Sequence, residues 1–542
     1  MKKPWLNQYE EGIVSEPEYL NDTLPEILVK TATEHPDYIA STMNELDITY
    51  GEINKKVNGF AHALQAMGVK RGDRVALLLP NSPTYIIGFY AVAKLGAIVV
   101  NLNVMSQGAD LVKFLNDSDA QIMITLDIFL NNVVQVVDET PLRGIVIHSV
   151  MNMEKTIDIS ESCPEILIFN DLVAANPTDE PERVCELDDV AVLQYTSGST
   201  GTPKAAMLTH RNITSNLVQI DSWRPDVNPE NPAVLCMIPF FHVFGMTICL
   251  HLSVRKGMRM ILYPMFDWSN ILTILGDIKK YRPISFPAVP ALWAALVSHN
   301  DADQYELSAI EVATGGGAPL PEWVQVKYEQ LTGKRIAQAY GLSEGSSSSH
   351  IMPFKGETPR YDSIGLPLPG IDVRIVDIET GETDCPVGEV GEMIIGGPQV
   401  MQGYWNDPVR TGESIRDGWL YTSDLARMDE EGYFYLVDRK DDMIITRGFN
   451  VYPSDIESVL KKHPSVRDAA AVGTPDKMRG EAIVAYVVAE EGKTAEKAEL
   501  MTFCKEQLAA YKVPRYIRFC DDIPANRVGK PLRRLLRNKN KG

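Results

Sequence analysis

The stretch Tyr195–Asn212, with the sequence YTSGSTGTPKAAMLTHRN, decides the fold of this chain. An apolar run leads into Thr196–Gly201, which is six small or hydroxylic residues, and Lys204 follows. Glycines let a backbone approach a polyphosphate, hydroxyl and N–H groups donate to its oxygens, and a lysine supplies positive charge. Ile213 and Leu217 then continue at helical spacing, so the stretch predicts a strand, a phosphate-binding loop and a helix.

This loop differs from the Walker A loop, because Lys204 stands three residues after Gly201 and Ala205 follows it instead of Ser or Thr. A stretch rich in Gly, Ser and Thr can also be a plain surface loop. The apolar strand before the loop and the lysine inside it favour phosphate binding.

Composition excludes several classes of protein. The chain has 542 residues, enough for more than one domain, and its net charge of −20 disfavours broad binding to nucleic acid or anionic lipid. Its seven cysteines are scattered and form no CxxC pair, which predicts reduced thiols instead of a disulfide frame or a zinc site. The N-terminus lacks the apolar segment of a signal peptide, and no apolar run is long enough to span a bilayer, so we expect a cytoplasmic protein.

Strand patterns alternate with helix patterns through most of the chain. Thr49 and Glu52 form a capping box, and Val75–Leu79 is a candidate buried strand. This alternation predicts an α/β fold with an open, mostly parallel sheet in a large N-terminal domain, residues 1–440. From Asp362 onward, apolar residues alternate at period two, which predicts a small β-barrel-like unit closing that domain.

A small, mobile α+β C-terminal domain is expected over residues 441–542. Ser454 and Glu457 form a second capping-box pattern near its start.

Three more motifs precede the C-terminal domain. Ile238–Gly245 (IPFFHVFG) predicts a buried corner, Thr314–Leu320 (TGGGAPL) a strand-end turn, and Gln338–Glu344 (QAYGLSE) a site where Tyr340 can stack on a base. A carboxylate such as Glu344 suits Mg²⁺, which keeps water and phosphate as its other ligands. His242 within the corner could equally be a structural histidine.

Further motifs stand near the C-terminus. They are Trp419–Asp424 (WLYTSD), Asp438–Asn450 (DRKDDMIITRGFN) and Asp522–Arg534 (DIPANRVGKPLRR). Taken alone, the basic residues around Lys530 would indicate a solvated tail.

With these motifs in this order, the chain from about Thr49 to Arg534 resembles the AMP-forming acyl-CoA synthetases. That family also holds firefly luciferase and the adenylation domains of peptide synthetases. The resemblance implies two half-reactions on ATP, Mg²⁺ and coenzyme A. A carboxylate first attacks the α-phosphorus of ATP to give acyl-AMP and pyrophosphate, and the CoA thiol then attacks the acyl carbon and releases AMP.

The resemblance also implies roles for individual residues. Catalytic roles fall to Lys530, Glu344, Thr196 and His242, and the Mg²⁺ ligands are Thr196 and Glu344. Nucleotide binding falls to Thr196, Ser197, Gly198, Ser199, Thr200, Gly201, Lys204, Gly317, Ala318, Pro319, Tyr340, Gly341, Ser343, Asp424, Arg439 and Lys530. The acyl pocket is formed by Phe241, His242, Gly245, Gly315 and Gly316, and Asp441 is the hinge of the C-terminal domain. The family usually has glycine at the position of Ser423.

The acid itself stays open at this point. The motif PFFHVFGMT, together with a wall of the small residues Gly315–Gly317, looks most like that of bacterial medium- and long-chain fatty acid ligases. An aromatic or alicyclic acid is the alternative substrate. An acyl-AMP ligase that delivers to a carrier protein, and a nucleotide-binding regulator without catalysis, are two other hypotheses. Acyl chain length, physiological direction, homodimer formation, peripheral membrane contact and the roles of Arg447 and Ser346–Ser349 stay open as well.

Overall fold

The computed structural model describes residues 3–149, 165–196, 204–223, 230–264, 271–355, 360–446, 449–476, 479–493, 495–525 and 531–538. The chain divides into two compact units. We call Tyr9–Asp372 with Gly396–Leu420 the major unit, and Met1–Gln8, Val373–Ile395 and Tyr421–Gly542 the minor unit. The predicted boundary between residues 440 and 441 stays a prediction.

The major unit contains two large sheets. The first has eight strands, whose spatial order is β19 (Gly403–Tyr404), β9 (Lys204–Thr209), β8 (Val190–Thr196), β4 (Ile98–Asn101), β3 (Arg74–Leu78), β5 (Ile122–Leu126), β6 (Gly144–His148) and β7 (Glu165–Ile168). The six strands from β8 to β7 are parallel, whereas β9 pairs antiparallel with both of its neighbours. Every residue of β5 is buried, as expected for a parallel strand with both faces covered.

The second sheet has nine strands. Their spatial order is β16 (Leu366–Pro367), β15 (Ser347–Ile351), β14 (Ile336–Leu342), β13 (Val312–Gly316), β12 (Ser285–Ala288), β10 (Ala233–Cys236), β11 (Arg259–Leu262), β1 (Ile39–Met43) and β2 (Leu46–Thr49). The central strands are parallel and the edges antiparallel. The carboxyl ends of parallel strands are where α/β sheets place their ligands, and several of the predicted motifs start there.

Twelve described helices surround these sheets. They are α1 (Leu24–Glu34), α2 (Tyr50–Ala66), α3 (Pro83–Lys94), α4 (Ala109–Ser118), α5 (Asp127–Val134), α6 (Phe169–Ala175), α7 (His210–Trp223), α8 (Leu252–Arg255), α9 (Ile271–Tyr281), α10 (Pro290–Ser298), α11 (Glu322–Thr332) and α12 (Pro408–Ser414). A π-helical stretch over Gly245–His251 precedes α8. The predicted capping box at α2 is confirmed, because Thr49 and Glu52 exchange backbone and side-chain hydrogen bonds.

The minor unit is α+β. Most of a five-stranded sheet lies in it, formed by β17 (Asp372–Val376), β18 (Gly391–Gly396), β21 (Trp419–Met428), β20 (Ile415–Arg416) and β22 (Phe434–Arg439). A second five-stranded sheet consists of β24 (Phe449–Val451), β23 (Ile444–Thr446), β26 (Gly480–Ala489), β25 (Val466–Asp476) and β27 (Tyr516–Phe519). Its helices are α13 (Pro453–Lys461), α14 (Lys497–Gln507) and α15 (Arg533–Asn538). The predicted α/β fold class, with a smaller α+β part, is confirmed.

Candidate active site

The two ends of the predicted phosphate loop are held opposite each other. Strand β8 ends at Thr196, β9 begins at Lys204, and the antiparallel register pairs these two residues. The loop residues Ser197, Gly198, Ser199, Thr200 and Gly201 lie outside the described part of the chain. The predicted order of strand, loop and helix was incomplete, because β9 stands between the loop and α7. The short apolar run after Lys204 becomes a strand since the edge of β8 offers it a partner.

Two side chains from the eight-stranded sheet and its loops hold the corner that contains His242. Asn81, just after β3, donates from Nδ2 to the carbonyls of Cys236 and Ile238, at 2.9 Å each, and accepts the N–H of Phe240 at 2.6 Å. Gln194, two residues before the end of β8, donates to the carbonyl of Phe241 at 3.0 Å. The strand leading into the phosphate loop is therefore hydrogen-bonded to the predicted acyl pocket.

His242 presents a hydrogen-bond donor. Its Nδ1 accepts the N–H of Phe244 at 3.2 Å, so the neutral ring carries its proton on Nε2. Burial of the ring lowers the pKa of His242, although the residue as a whole retains exposed surface. The ring is consequently neutral at physiological pH, and its Nε2–H is available as a hydrogen-bond donor.

The glycine segment at the end of β13, Gly315–Gly316, lies against the same corner. A Cβ added at Gly316, the last residue of β13, would lie 3.2 Å from the ring of Phe244. A Cβ at Gly245 would overlap the carbonyl oxygens of Ile238 and Pro239, so glycine is what lets the corner close. The structure therefore brings together two of the predicted acyl-pocket segments, residues 241–245 and 315–316. Gly317, Ala318 and Pro319 continue from the end of this strand.

The segment that carries Tyr340 and Glu344 runs from β14 into a 3₁₀ turn, Ser343–Gly345. Tyr340 is half-buried and packs edge-on against His350 of β15, with ring centroids 5.8 Å apart. Burial lowers the pKa of His350 to about 3, so this neighbour stays neutral. Stacking of Tyr340 on an adenine stays a prediction.

The serine run after Glu344 is hydrogen-bonded to two helical elements. Asn216 on α7 donates to the carbonyl of Ser348 at 2.7 Å and accepts its N–H at 3.2 Å. Thr247 of the π-helical stretch donates to the carbonyl of Ser346 at 2.8 Å. These contacts hold Ser346–Ser349, whose role the sequence left open, against α7 and the π-helical stretch.

Gly341 supports a stability prediction. A Cβ at this position would overlap the carbonyl oxygen of Ser347 in the adjacent strand, and backbone atoms cannot move aside cheaply. We expect Gly341→Ala to lower the free energy of unfolding by more than about 3 kcal/mol. Gly412→Ala is the control, because a Cβ there meets no atom within 4 Å. Thermal unfolding of the two variants checks this, and equal midpoints would contradict the stated packing.

Glu344 is held at two points. Its Oε1 accepts the hydroxyl of Tyr404 at 2.8 Å, and its carbonyl accepts the N–H of Met401 at 2.8 Å. The ammonium of Lys204 lies 5.5 Å from the centre of the Tyr404 ring. One tyrosine thus contacts both the lysine at the end of the phosphate loop and the predicted metal ligand.

The predicted ribose site lies in the minor unit. Asp424 of β21 stands opposite Arg439 of β22, and its Oδ1 lies 3.2 Å from the Arg439 Nε. The Asp424 side chain is 13% exposed, so the ion pair is only partly solvated. Its N–H donates to the Thr422 hydroxyl at 3.1 Å, which fixes the part of β21 that presents the carboxylate.

The predicted hinge lies in a 3₁₀ turn, Lys440–Asp442. Arg537 of α15 donates to the carbonyl of Asp441 at 3.1 Å. The predicted capping box at Ser454 and Glu457 was wrong, since α13 begins at Pro453. Glu457 instead binds Arg533, at 2.9 Å between Oε2 and Nη2. Arg447 and Lys530 lie outside the described residues.

Comparisons with known proteins identify the family. The model of the AMP-binding enzyme family matches residues 28–405, and that of the AMP-binding enzyme C-terminal domain matches residues 455–530. A long-chain-fatty-acid–CoA ligase of Bacillus subtilis (strain 168) is 37% identical over 99% of this chain and 98% of its own length. The chain belongs to the AMP-binding enzyme family. It is an adenylate-forming acid–CoA ligase.

Other members of the AMP-binding enzyme family are also similar to this chain. A feruloyl-CoA synthase of Amycolatopsis sp is 33% identical over 94% of the chain and 98% of its own length. The crystal structure of ATP-bound MatB from Rhodopseudomonas palustris has a TM-score of 0.82 and 27% identity, covering 96% of this chain and 99% of that one. The two-part architecture of the AMP-binding enzymes is thereby confirmed.

The donor set of this AMP-binding enzyme fits Mg²⁺. No cluster of three or more His, Cys, Asp or Glu side chains suited to a metal occurs within the described ranges. Glu344 offers one carboxylate, and Mg²⁺ is commonly bound by one or two carboxylates with substrate phosphates and water. Over the same ranges, we find no helix both long and apolar enough to cross a membrane.

Ser423 of this AMP-binding enzyme adopts a φ of +59°, in the left-handed region that glycine favours. We expect Ser423→Gly to raise stability by about 0.5–1 kcal/mol, because relief of the strain exceeds the added flexibility of the unfolded chain. Ser458→Gly, inside α13, should lower it by about 0.5 kcal/mol. Thermal unfolding compares the two, and destabilisation by both would refute the strain at Ser423.

Sequence reasoning missed Asn81, Gln194 and Tyr404. The first two hold the corner around His242, and Tyr404 holds Glu344. Asn81 could have been found from the sequence, since it is a polar residue three positions after the end of a buried parallel strand. Tyr404 could not, because its partner is 60 residues away in sequence.

Proposed function

We propose that this enzyme joins a medium- or long-chain fatty acid to coenzyme A at the expense of ATP, with Mg²⁺, through a fatty acyl-AMP. The observation that carries the proposal is the hydrogen bond from Gln194 to Phe241, which connects the strand entering the predicted phosphate loop to the corner that contains His242. This contact supports an arrangement in which the carboxylate enters beside the phosphates of ATP.

The chemistry follows from the poor reactivity of a carboxylate. Its leaving group would be oxide, and adenylation replaces oxide by AMP. The carboxylate oxygen forms a bond to the α-phosphorus while the bond to the bridging oxygen of pyrophosphate breaks. The CoA thiol, losing its proton to solvent, then attacks the acyl carbon and releases AMP.

Positioning and charge neutralisation suffice for these steps. Thr196 and Lys204, with Ser197, Gly198, Ser199, Thr200 and Gly201, would bind the β- and γ-phosphates. His242 would donate its Nε2–H to the incoming carboxylate, and Lys530 would offset the repulsion between that carboxylate and the α-phosphate. Thr196 and Glu344 would hold Mg²⁺, which, when bound, neutralises negative charge on the phosphates.

Nucleoside binding completes the site. Tyr340 would stack on the adenine, with Gly341, Ser343 and the turn Gly317–Pro319 around it. Asp424 would accept both ribose hydroxyls, with Arg439 beside it.

The second half-reaction requires a change at the active site. We infer that the C-terminal domain rotates about Asp441 after adenylation, withdraws Lys530 and forms the CoA channel. Any such rotation has to break contacts that cross residue 441 within the minor unit. Ser454 donates to Asp438 from its N–H at 2.9 Å and to the carbonyl of Val437 from its hydroxyl at 2.8 Å.

A fatty acid is supported by the similarity to the Bacillus ligase, whose name gives that substrate. The similarity to a feruloyl-CoA synthase supports an aromatic acid as the second candidate. The ring of Phe244 lies against Gly316 and gives this corner an apolar, aromatic surface, which suits either class. The cytoplasmic location belongs to the same proposal.

Pyrophosphate release across a panel of acids tests this function. The panel contains acetate, hexanoate, decanoate, palmitate, benzoate and ferulate, each with ATP and Mg²⁺ and with or without CoA. We expect a maximum at decanoate or palmitate and turnover that depends on CoA. A maximum at benzoate or ferulate would show that the substrate is an aromatic acid instead of a fatty acid. Pyrophosphate release unaffected by CoA would point to a carrier protein as the acyl acceptor.

A further inference from the structure

We propose that Tyr404 is a positioning residue that keeps Lys204 and Glu344 apart and orients the Glu344 carboxylate for the metal ion. This inference rests on the proposed function, because it assigns the support of a metal ligand. The hydroxyl of Tyr404 donates a hydrogen bond to Glu344 Oε1, and the ring of Tyr404 faces the Lys204 ammonium.

The tyrosine itself is rigidly placed. It is 6% exposed, and β19 pairs it with Ala206, two residues after Lys204. Its N–H donates to the Thr411 hydroxyl at 2.9 Å, in the middle of the short helix α12. The next residue, Trp405, donates from its backbone to Ala205 and from its ring to the Asp117 carbonyl. A ring fixed on several sides can hold another side chain in one orientation.

One oxygen of the Glu344 carboxylate is available for a metal. Tyr404 uses Oε1 of Glu344, and Oε2 makes no hydrogen bond to the part of the chain that the structure describes. Carboxylates that bind metals are commonly oriented by a hydrogen bond from a neighbouring group, and its loss typically weakens metal affinity about 10–100-fold. The Tyr404 hydroxyl is the group in that position.

The ring has a second effect, on the charges. Lys204 and Glu344 carry opposite charges and both contact Tyr404, yet no salt bridge joins them among the described residues. A direct pair would neutralise the lysine that has to bind phosphate and the carboxylate that has to bind the cation. An aromatic face attracts the ammonium without cancelling the carboxylate. Tyr404 therefore acts as a spacer that keeps both groups available.

The test measures nucleotide binding, not turnover. The probe is α,β-methylene-ATP, whose AMP group cannot be transferred to an acid, titrated by calorimetry at a series of Mg²⁺ concentrations without acid or CoA. We expect Tyr404→Phe to raise the Mg²⁺ concentration for half-maximal binding about tenfold, since it keeps the ring and loses the hydroxyl. Tyr404→Leu should also weaken binding of the analogue in EDTA, because Lys204 can then pair with Glu344.

Tyr263→Phe is the matched control. Tyr263 donates to Asp277 at 2.6 Å, so this variant loses the same kind of hydrogen bond elsewhere in the major unit. It should leave the Mg²⁺ midpoint unchanged. An unchanged midpoint in Tyr404→Phe, or an equal shift in Tyr263→Phe, would overturn the role of Tyr404 alone. Binding to the wild-type protein without any dependence on Mg²⁺ would overturn the proposed metal site as well.

Discussion

Replacing Lys530 by alanine is expected to lower the rate of acyl-adenylate formation about a hundredfold to a thousandfold. The attacking carboxylate and the α-phosphate are both anions, and removal of one group that stabilises charge in the transition state typically costs that much. Conversion of supplied acyl-AMP to acyl-CoA should stay near the wild-type rate, because in that step no carboxylate approaches the α-phosphate. The two half-reactions are measured separately, as pyrophosphate release and as thioester formation.

Two other variants serve as controls for the charge and for the position of Lys530. Lys530→Arg keeps the charge with a different geometry and should retain more adenylation activity than the alanine variant. Lys505→Ala removes an exposed lysine from α14 and should leave both half-reactions unchanged. Equal losses of both half-reactions in Lys530→Ala would refute the role assigned to Lys530.

Asp424→Ala should raise the KM for ATP about a hundredfold. The alanine removes both acceptor oxygens for the ribose hydroxyls and leaves Arg439 without the partner that lies 3.2 Å away. Hydrogen bonds to a charged group contribute about 1.5–3 kcal/mol, and a loss of about 2.7 kcal/mol corresponds to a hundredfold change. We expect a smaller fall in kcat, since the ribose lies away from the reacting atoms.

The control for Asp424→Ala removes another ion pair of the minor unit. Arg374 Nε lies 2.6 Å from Asp384 Oδ1, so Asp384→Ala breaks a comparable contact. Its KM for ATP should match that of the wild type. A KM in Asp424→Ala within threefold of the wild-type value would contradict ribose binding by this carboxylate.

Features that depend on local sequence could be predicted. The capping box of Thr49 and Glu52 forms because both partners lie within one helical turn, and the structure confirms it. The buried strand near Val75 was predicted from a continuous apolar run. The order of the motifs then led to the family, which the comparisons confirm.

Features that depend on distant partners could not be predicted. The residues after Lys204 form a strand because β8 and β19 flank them. Glu457 has the spacing of a capping box, but its carboxylate binds Arg533, which is 76 residues away in sequence. Tyr404 reaches Glu344 in the same way. Spacing along a chain does not reveal such contacts, since tertiary packing decides them.

The most direct test of the central claim follows the oxygen atoms of the acid. Palmitate labelled with ¹⁸O in both carboxylate oxygens is incubated with the enzyme, ATP, Mg²⁺ and CoA, and the products are analysed by mass spectrometry. Attack of the carboxylate on the α-phosphorus predicts one ¹⁸O in each AMP and none in pyrophosphate. Label in inorganic phosphate, with ADP as the nucleotide product, would contradict adenylation and require an acyl phosphate instead.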